Sequence, residues 1–221
     1  MTSFEQDGYR HFPRALDEPD LARIEEIAAV QGPGVRLTSA MLLPISDLLD
    51  VGGPVGSIVT ETAGRVAFPV RAILFDKSSE ANWSLGWHQD RTICVVERIE
   101  VEGFGPWTLK QGQPHAQPPQ SLLERMVTVR IHLDDVPADN GPLLVIRGSH
   151  RLGRLTEDRI AKLVADSDVT THLARRGDIW VYRTPIVHAS ASAGNGHPAR
   201  RVLQLDYSSD SLPGGLRWAF D

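Results

Sequence analysis

The chain has 221 residues, of which 41% are hydrophobic and 23% are charged, so it has the composition of a folded globular protein rather than of a disordered one. This length allows one well-buried domain and is short for two. The formal net charge of −5 argues against a nucleic-acid partner, because binding to phosphates requires concentrated positive charge.

Membrane insertion and secretion are not indicated by the sequence. No apolar run approaches the roughly 20 residues that a helix needs to cross a bilayer. The N-terminal segment MTSFEQDGYRHF lacks the basic and apolar regions of a signal peptide. Cys94 is the single cysteine, which excludes an internal disulfide and a cysteine-based zinc cluster. We therefore expect a cytoplasmic protein with neither a membrane nor a nucleic-acid partner, and its oligomeric state stays open.

The N-terminal part, residues 1–65, is predicted to be mostly helical and to pack on the rest of a single domain. Four apolar residues recur at the spacing of one helical face: Leu21, Ile24, Ile27 and Ala28. Asp17 and Pro19 are typical of the start of that helix. Further short helices are predicted over 45–49 and 55–62.

From about residue 66 the pattern changes to strands. Short runs rich in β-branched and aromatic residues alternate with turn signals: VAFPVRAILF, WSLGWHQD, TICVVERIE, MVTVRIHLD, LLVI, GDIWVY and RRVLQLDY. These runs predict a sandwich or barrel of antiparallel strands. Residues 103–119 are rich in glycine and proline, so we predict an irregular loop there, of the kind that often shapes a binding pocket.

One predicted strand, 127–134, alternates strictly between two kinds of side chain. Its apolar face carries Val127, Val129, Ile131 and Leu133. Its polar face carries Thr128, Arg130, His132 and Asp134. This polar face either lines a pocket or faces solvent, and the pattern alone does not distinguish the two. His11, His172 and His197 lie in polar or loop contexts, where we expect them to be solvated.

A candidate metal site combines an H-x-D pair, His88 and Asp90, with the late His188. Two imidazoles and one carboxylate on one face of an octahedron leave three positions open, as in non-haem Fe(II) oxygenases. Residues i and i+2 of a strand point the same way, about 7 Å apart, so both can reach one ion. Arg200 and Arg201 follow, and a guanidinium binds a carboxylate bidentately.

The H-x-D pair is weak evidence by itself. With 8 histidines and 28 acidic residues in the chain, chance alone supplies about one H-x-[DE] pair. His132 and Asp134 form a second H-x-D pair, which makes them an alternative to His88 and Asp90.

A wider set of segments distinguishes the two pairs. They are WHQD at 87–90, DDVPADNGPLLVIRGSHRLG at 134–153, GDIWVY at 177–182, TPIVHASAS at 184–192 and ARRVLQLDY at 199–207. In this order and spacing the chain resembles the phytanoyl-CoA dioxygenase family of Fe(II)- and 2-oxoglutarate-dependent hydroxylases. The resemblance implies a mainly β fold with flanking helices, in which residues 66–210 form a double-stranded β-helix, a cupin-like jelly-roll barrel.

The resemblance also implies which residues form the site. In the family the H-x-D pair precedes the NGPL…GSH segment, which assigns the metal to His88, Asp90 and His188. A family arginine, the first of a basic pair, follows the late histidine by eleven residues. Here the two arginines follow at twelve and thirteen, so one residue is inserted, and Arg200 is favoured over Arg201 for binding 2-oxoglutarate.

Two further residues are assigned to the cosubstrate. Ser190 matches a small hydroxyl residue that the family places two positions after the late histidine. Arg130 lies on the polar face of the alternating strand, and we assign it to the same cofactor-binding group.

The expected activity is that of a dioxygenase that uses Fe(II), 2-oxoglutarate and O2 to hydroxylate a small molecule, whose identity the sequence does not give. An intact carboxylate at Asp90 favours hydroxylation, because related halogenases have a small residue there. Two alternatives stay open: a non-catalytic cupin-like binding module, and another metal-dependent enzyme of the cupin type.

Overall fold

A computed structural model of the protein describes residues 3–29, 34–77, 82–192 and 200–221. The helices in these ranges are α1 Ser3–Asp7, α2 Glu18–Ala29, α3 Ser39–Leu42, α4 Ser46–Leu49, α5 Pro54–Ala63, α6 Gln120–Arg125 and α7 Glu157–Ala165, with short 3-10 helices at Leu43–Ile45 and Ser149–Leu152. No single helix among them is both long and apolar enough to cross a membrane, although the bent pair Ser39–Leu49 and Pro54–Ala63 meets that criterion in combined length and composition.

The strands are β1 Tyr9–Phe12, β2 Val35–Leu37, β3 Phe68–Lys77, β4 Leu85–His88, β5 Ile93–Cys94, β6 Trp107–Lys110, β7 Gln113–Ala116, β8 Val127–His132, β9 Leu143–Ile146, β10 Val169–His172, β11 Ile179–Arg183, β12 His188–Ser190 and β13 Arg200–Ser208. They form a six-stranded sheet in the order β1-β11-β8-β13-β3-β2, a four-stranded sheet in the order β10-β9-β12-β4, and a small sheet in the order β5-β7-β6. All the pairings are antiparallel.

The two larger sheets face each other across a polar interior. Lys77 of β3 donates a hydrogen bond to Ser190 of β12, and the ring of Tyr182 on β11 contacts His188 on β12. This arrangement of antiparallel strands with flanking helices confirms the predicted jelly-roll fold.

The outer face of the six-stranded sheet forms the main hydrophobic core with the N-terminal helices. Ile131 of β8 and Leu203 of β13 belong to one buried cluster with Ile24 of α2, Leu49 of α4 and Val59 of α5. Burial of such side chains contributes about 1.5–3 kcal/mol each. The helices therefore fix this sheet from outside and leave its inner face free to line a cavity.

The polar face of β8 lies inside the protein rather than in solvent. Arg130 and His132 are 5% and 2% exposed. Arg130 pairs in register with Gln204 of β13, which in turn pairs with Ile73 of β3, so these side chains share the inner face. Of the two interpretations of the alternating strand, the lined pocket is the one that the structure supports for Arg130.

The N-terminal part contains helices α1 to α5 and also supplies both edges of the six-stranded sheet. Asp17 begins α2, since its carboxylate accepts a hydrogen bond from the backbone N–H of Asp20. Strands β1 and β2, which the sequence pattern did not predict, pair with β11 and β3 respectively. They are four and three residues long, too short for an alternating pattern to be recognised.

The prediction of an irregular loop at 103–119 was wrong. Strands β6 and β7 form a hairpin there, turned by Gln111 and Gly112, which have positive φ angles of 50° and 78°. Its prolines serve as acceptors: the carbonyl of Pro106 accepts from Gln117, and that of Pro114 accepts from Val95. The high proline content suggested an irregular loop, because proline has no backbone N–H to donate. Its backbone carbonyl can still accept a hydrogen bond, so proline is compatible with this hairpin.

The predicted solvation of His172 was also wrong. It is 1% exposed, on β10, and its ring stacks on Trp180 at a centroid distance of 3.8 Å. Packing against an aromatic neighbour from another strand overrides the polar local sequence. His197 lies outside the described residues.

Candidate metal centre

The structure brings His88, Asp90 and His188 together in the interior. His88 ends β4, Asp90 follows two residues later, and His188 begins β12. The two histidines are direct partners in the β12–β4 ladder, and their ring centroids lie 4.2 Å apart. One potential ligand atom from each of the three residues lies within 4.8 Å of the others. The three candidate ligands therefore come together because His88 and His188 face each other across two strands and Asp90 lies two residues after His88.

Both imidazoles are oriented by backbone carbonyls. Nδ1 of His88 lies 2.7 Å from the carbonyl oxygen of Gly86, and Nδ1 of His188 lies 2.9 Å from that of Ile186. Because a carbonyl only accepts, each Nδ1 carries the proton and each Nε2 keeps a free lone pair. Burial, then the neighbouring His88, lowers the pKa of His188 to about 4, so this ring is neutral near pH 7 and able to bind a metal.

Asp90 provides an ionised oxygen that accepts no hydrogen bond among the described residues. Its Oδ2 is buried and accepts no hydrogen bond from the described residues. Burial raises the pKa of this carboxyl, but Arg71, followed by His188 and His88, outweighs burial and brings the pKa below its ordinary value. Two imidazole nitrogens with free lone pairs and a carboxylate oxygen that accepts no hydrogen bond among the described residues fit a divalent ion such as Fe(II).

Arg71, which the sequence analysis missed, is buried beside Asp90. Its Nη2 lies 3.8 Å from Asp90 Oδ2, and its Nε donates to Asp206 Oδ2 at 2.6 Å. Thr128 donates to the other oxygen of Asp206, and the carbonyl of Thr92 accepts from Arg71 Nη1. These bonds fix Arg71 and, through it, the position of Asp90. The sequence feature that could have indicated Arg71 as a site residue is a single charge inside the apolar run VAFPVRAILF.

The alternative pair does not reach the centre. Strand β8 ends at His132, and the chain then turns so that Asp134 accepts hydrogen bonds from the backbone N–H and the guanidinium of Arg201. His132 stays buried, and neither of its ring nitrogens has a hydrogen-bond partner among the described residues.

The two candidate arginines have opposite environments. Arg200 is 1% exposed and donates to the carbonyl of Gly141, while its Nε has no partner among the described residues. Burial, then repulsion from Arg130, lowers the pKa of Arg200 to about 9. Arg201 lies on the other face of β13 and pairs with Asp134 and Glu25. The inserted residue, which left the choice between Arg200 and Arg201 open, lies within 190–199. Residues 193–199 of that segment are outside the described residues.

Lys77 is a second cation that sequence reasoning missed. It is the register partner of Arg200 across the β13–β3 ladder, and its Nζ donates to Ser190 Oγ at 3.0 Å and to the carbonyl of Ala191 at 2.8 Å. Burial, then Arg200 and Arg130, lowers its pKa to about 7. This partnership depends on strand register, which the sequence does not reveal.

One cavity of about 250 Å³ joins all the predicted site residues except Arg201. It is lined by the three candidate ligands and by Ser190, Arg200 and Arg130, whose Nη1 donates to Gln204 at 2.7 Å. The cavity therefore has a metal-binding centre and, further along, a cluster of buried cations.

Comparisons with solved structures find the same fold in several other proteins. AviO1 from Streptomyces viridochromogenes Tue57 is 20% identical with a TM-score of 0.64, over 96% of this chain and 94% of that chain. SnoK, a non-haem alpha-ketoglutarate-dependent carbocyclase from nogalamycin biosynthesis, is 19% identical with a TM-score of 0.67, over 93% and 81%. EctD from S. alaskensis with bound Fe is 18% identical with a TM-score of 0.67, over 95% and 76%.

Further structures describe ligands of these neighbours: one of EctD holds 2-oxoglutarate and 5-hydroxyectoine. Among curated proteins, no sequence matches this chain. The family described as phytanoyl-CoA dioxygenase matches residues 51–202, which is more than half of the chain and includes the three candidate ligands and Arg200. The chain therefore belongs to the phytanoyl-CoA dioxygenase family.

Proposed function

We propose that the protein is an Fe(II)- and 2-oxoglutarate-dependent dioxygenase that hydroxylates a small molecule. The observation that carries the proposal is the convergence of His88, Asp90 and His188, with free lone pairs, in a cavity that also holds Arg200. Family membership supports it, as do structural neighbours with bound Fe or 2-oxoglutarate.

Fe(II) would be held by Nε2 of His88, Nε2 of His188 and the carboxylate of Asp90. When bound, iron with 2-oxoglutarate and O2 supplies the oxidation of an unactivated C–H bond. The carbonyls of Gly86 and Ile186 keep the two rings in the metal-binding tautomer. The protein's own contribution is thus to hold the ligands and to exclude water.

The distal carboxylate of 2-oxoglutarate would bind Arg200, with Ser190, Lys77 and Arg130 around it. Arg200, Lys77 and Arg130 are buried, and no salt bridge joins any of them to a carboxylate in the described part of the chain. Their mutual repulsion lowers the pKa of Lys77 and of Arg200, after burial. A dianion placed here would relieve that repulsion, which favours binding of a dicarboxylate.

Among the oxidations that such a site can carry out, we propose hydroxylation. The neighbours include a carbocyclase and an epimerase, so this fold supports several oxidative outcomes. Asp90 retains the carboxylate that a hydroxylase uses.

The test is turnover by the Fe(II)-loaded protein against a metabolite library, with O2 consumption and succinate measured together and products identified by mass. We expect a substrate that stimulates both signals in equal amounts and gains one oxygen atom. Binding of library members without succinate would favour a binding module, and conversion without O2 uptake would favour another cupin-type enzyme.

A further inference from the structure

The cavity has two basic ends, and 2-oxoglutarate can occupy only one of them. Along β3, Arg71, Ile73, Phe75 and Lys77 alternate onto the inner face and line the cavity. Arg71 and Lys77 are six residues apart, which is about 20 Å along a strand. Lys77 lies at the Arg200 end, whereas Arg71 lies beside Asp90. A five-carbon dicarboxylate that reaches from the metal to Arg200 therefore leaves the Arg71 end vacant for another molecule.

Two further cations line the cavity at the Arg71 end. Arg36 lies across the β2–β3 ladder from Ile73, and its buried Nε has no hydrogen-bond partner among the described residues. Lys110 at the end of β6 donates to the hydroxyl of Thr92 at 3.1 Å. Neither side chain forms a salt bridge in the part of the chain described. Burial and then Arg71 lower the pKa of both, although the charge of Asp90 partly offsets this.

The hairpin β6–β7 is what places Lys110 beside Arg36. Gln111, in its turn, accepts a hydrogen bond from the backbone N–H of Arg36 at 2.8 Å and donates to the carbonyl of Gly34 at 3.0 Å. The Gln111 side chain thus holds the hairpin against the start of β2, through the backbone of Arg36 itself and of Gly34 two residues before it. The two cations belong to different sheets, and this specific contact fixes their proximity.

Positive charge in the cavity exceeds what the metal ligands and the cosubstrate require. Six cationic residues line it, and Asp90 is the one carboxylate among its described lining residues: Arg36, Arg71, Lys77, Lys110, Arg130 and Arg200 are the cations. Arg71 is matched by Asp206 and Asp90. A divalent metal and dianionic 2-oxoglutarate add equal and opposite charge, so the cavity keeps a surplus of positive charge, and Arg36 and Lys110 carry the part of it that lies away from Arg200. The chain as a whole carries a net charge of −5, so this surplus is local.

We propose that Arg36 and Lys110 bind a compact anionic group, a carboxylate or a phosphate, of the substrate. A planar guanidinium and an ammonium on one side of a small cavity can both donate to one such group. The cavity of about 250 Å³ limits the substrate to a small organic anion. This inference rests on the proposed oxygenase function and adds the substrate class to it.

The test is calorimetric titration of the Fe(II)-loaded protein under nitrogen, saturated with 2-oxoglutarate. The probes are benzoate, phenyl phosphate and the uncharged benzyl alcohol, so that the two anions distinguish a carboxylate site from a phosphate site. We expect at least one anion to bind about tenfold or more tightly than the alcohol. Arg36→Gln and Lys110→Gln should each weaken that anion about tenfold, Arg36→Lys should retain most of the affinity, and the exposed control Arg159→Gln should leave it unchanged.

Three results would overturn the inference: equal binding of the alcohol and the anions, unchanged anion affinity in Arg36→Gln and Lys110→Gln, or anions that bind only when 2-oxoglutarate is left out. A separate titration of 2-oxoglutarate into each Fe(II)-loaded variant keeps the two proposals distinct. If the wild-type protein does not bind 2-oxoglutarate, the proposed function fails. If it binds 2-oxoglutarate but neither anion, only the assignment of the substrate class fails.

Discussion

At the scale of single residues, the environment of each candidate decides its chemistry more than its type does. Asp90 and Asp134 both follow a histidine by two positions. Asp90 keeps an oxygen without a hydrogen-bond partner in the described part of the chain, beside two imidazoles, whereas both oxygens of Asp134 accept hydrogen bonds from Arg201. Only a carboxylate with a free lone pair can join a metal.

This difference predicts the effect of removing each carboxylate. Asp90→Ala should lose metal affinity and substrate-dependent succinate formation by about 100-fold or more, because one of three ligands is missing. Asp134→Asn should retain both. Metal content after dialysis and succinate release measure the two effects, and circular dichroism checks the fold. Normal metal binding by Asp90→Ala would contradict the assignment.

The two arginines give a second prediction. Arg200→Ala should raise the concentration of 2-oxoglutarate needed for half-maximal turnover about 30-fold or more, because a desolvated charge-assisted contact is typically worth about 2–5 kcal/mol. Arg201→Ala should change it little, since Arg201 pairs with Asp134 and Glu25 outside the cavity. Turnover against 2-oxoglutarate concentration decides the ranking, and the opposite order would transfer the role to Arg201.

Lys77 gives a prediction for pH. Its pKa of about 7 in the free cavity means that it loses its proton as the pH rises above 7, while Arg200, with a pKa of about 9, stays charged. Binding of a carboxylate favours protonated Lys77, so the affinity for 2-oxoglutarate should fall between pH 7 and 8, below the pKa of Arg200, by up to about tenfold. Lys77→Met should bind more weakly and lose this dependence. Titrations at several pH values measure it, and an unchanged slope in Lys77→Met would exclude Lys77.

At the scale of elements, the hairpin β6–β7 is the feature for which the sequence was most misleading. Its turn needs positive φ at two successive residues, and Gly112 supplies the second at 78°. Gly112→Ala should therefore lower the free energy of unfolding by about 1 kcal/mol. Gly52→Ala is the matched control, because a Cβ at either position would meet no atom within 4 Å and Gly52 has an ordinary φ. Urea unfolding compares the two, and equal stability would argue against the turn.

Local pattern predicted the elements whose sequence matches their environment. The alternation of β8 and the spacing of α2 were sufficient, because the apolar face of each packs into the main hydrophobic core. Strands β1 and β2 were missed because long-range partners, β11 and β3, determine them.

The candidate site divides in the same way. His88, Asp90 and His188 could be found from spacing and family resemblance. Lys77 and Arg36 could not, because the register of β3 against its neighbours on both sides brings them into the cavity. Register depends on the whole sheet and not on a local motif.

At the scale of the whole molecule, the interior is unusually rich in titratable groups. Burial lowers the pKa of His172 to about 3 and that of His115 to about 4, and it lowers the pKa of His132 well below its ordinary value. These neutral imidazoles coexist with buried arginines, so the fold depends on pH as well as on apolar burial.

The last prediction is that acid weakens the fold through His172. The unfolded chain protonates this residue near pH 6.5, whereas the folded chain resists until about pH 3, so stability is lost as the pH falls through that interval. His172→Phe keeps a ring that can stack on Trp180 and removes the titration. Between pH 6.5 and 4 the variant should lose less unfolding free energy than the wild type, by at most about 3 kcal/mol.

Urea unfolding of metal-free protein in chelator measures this loss, because a bound metal would add its own pH dependence through His188. Any effect of the phenyl ring on packing changes the unfolding free energy equally at all pH values. It therefore cancels when the unfolding free energy of each protein is expressed relative to its own value at pH 7. Parallel acid profiles for the two proteins would show that His172 is already protonated in the fold. The unfolding pH dependence would then come from the other buried imidazoles, those of His132, His115 and His188.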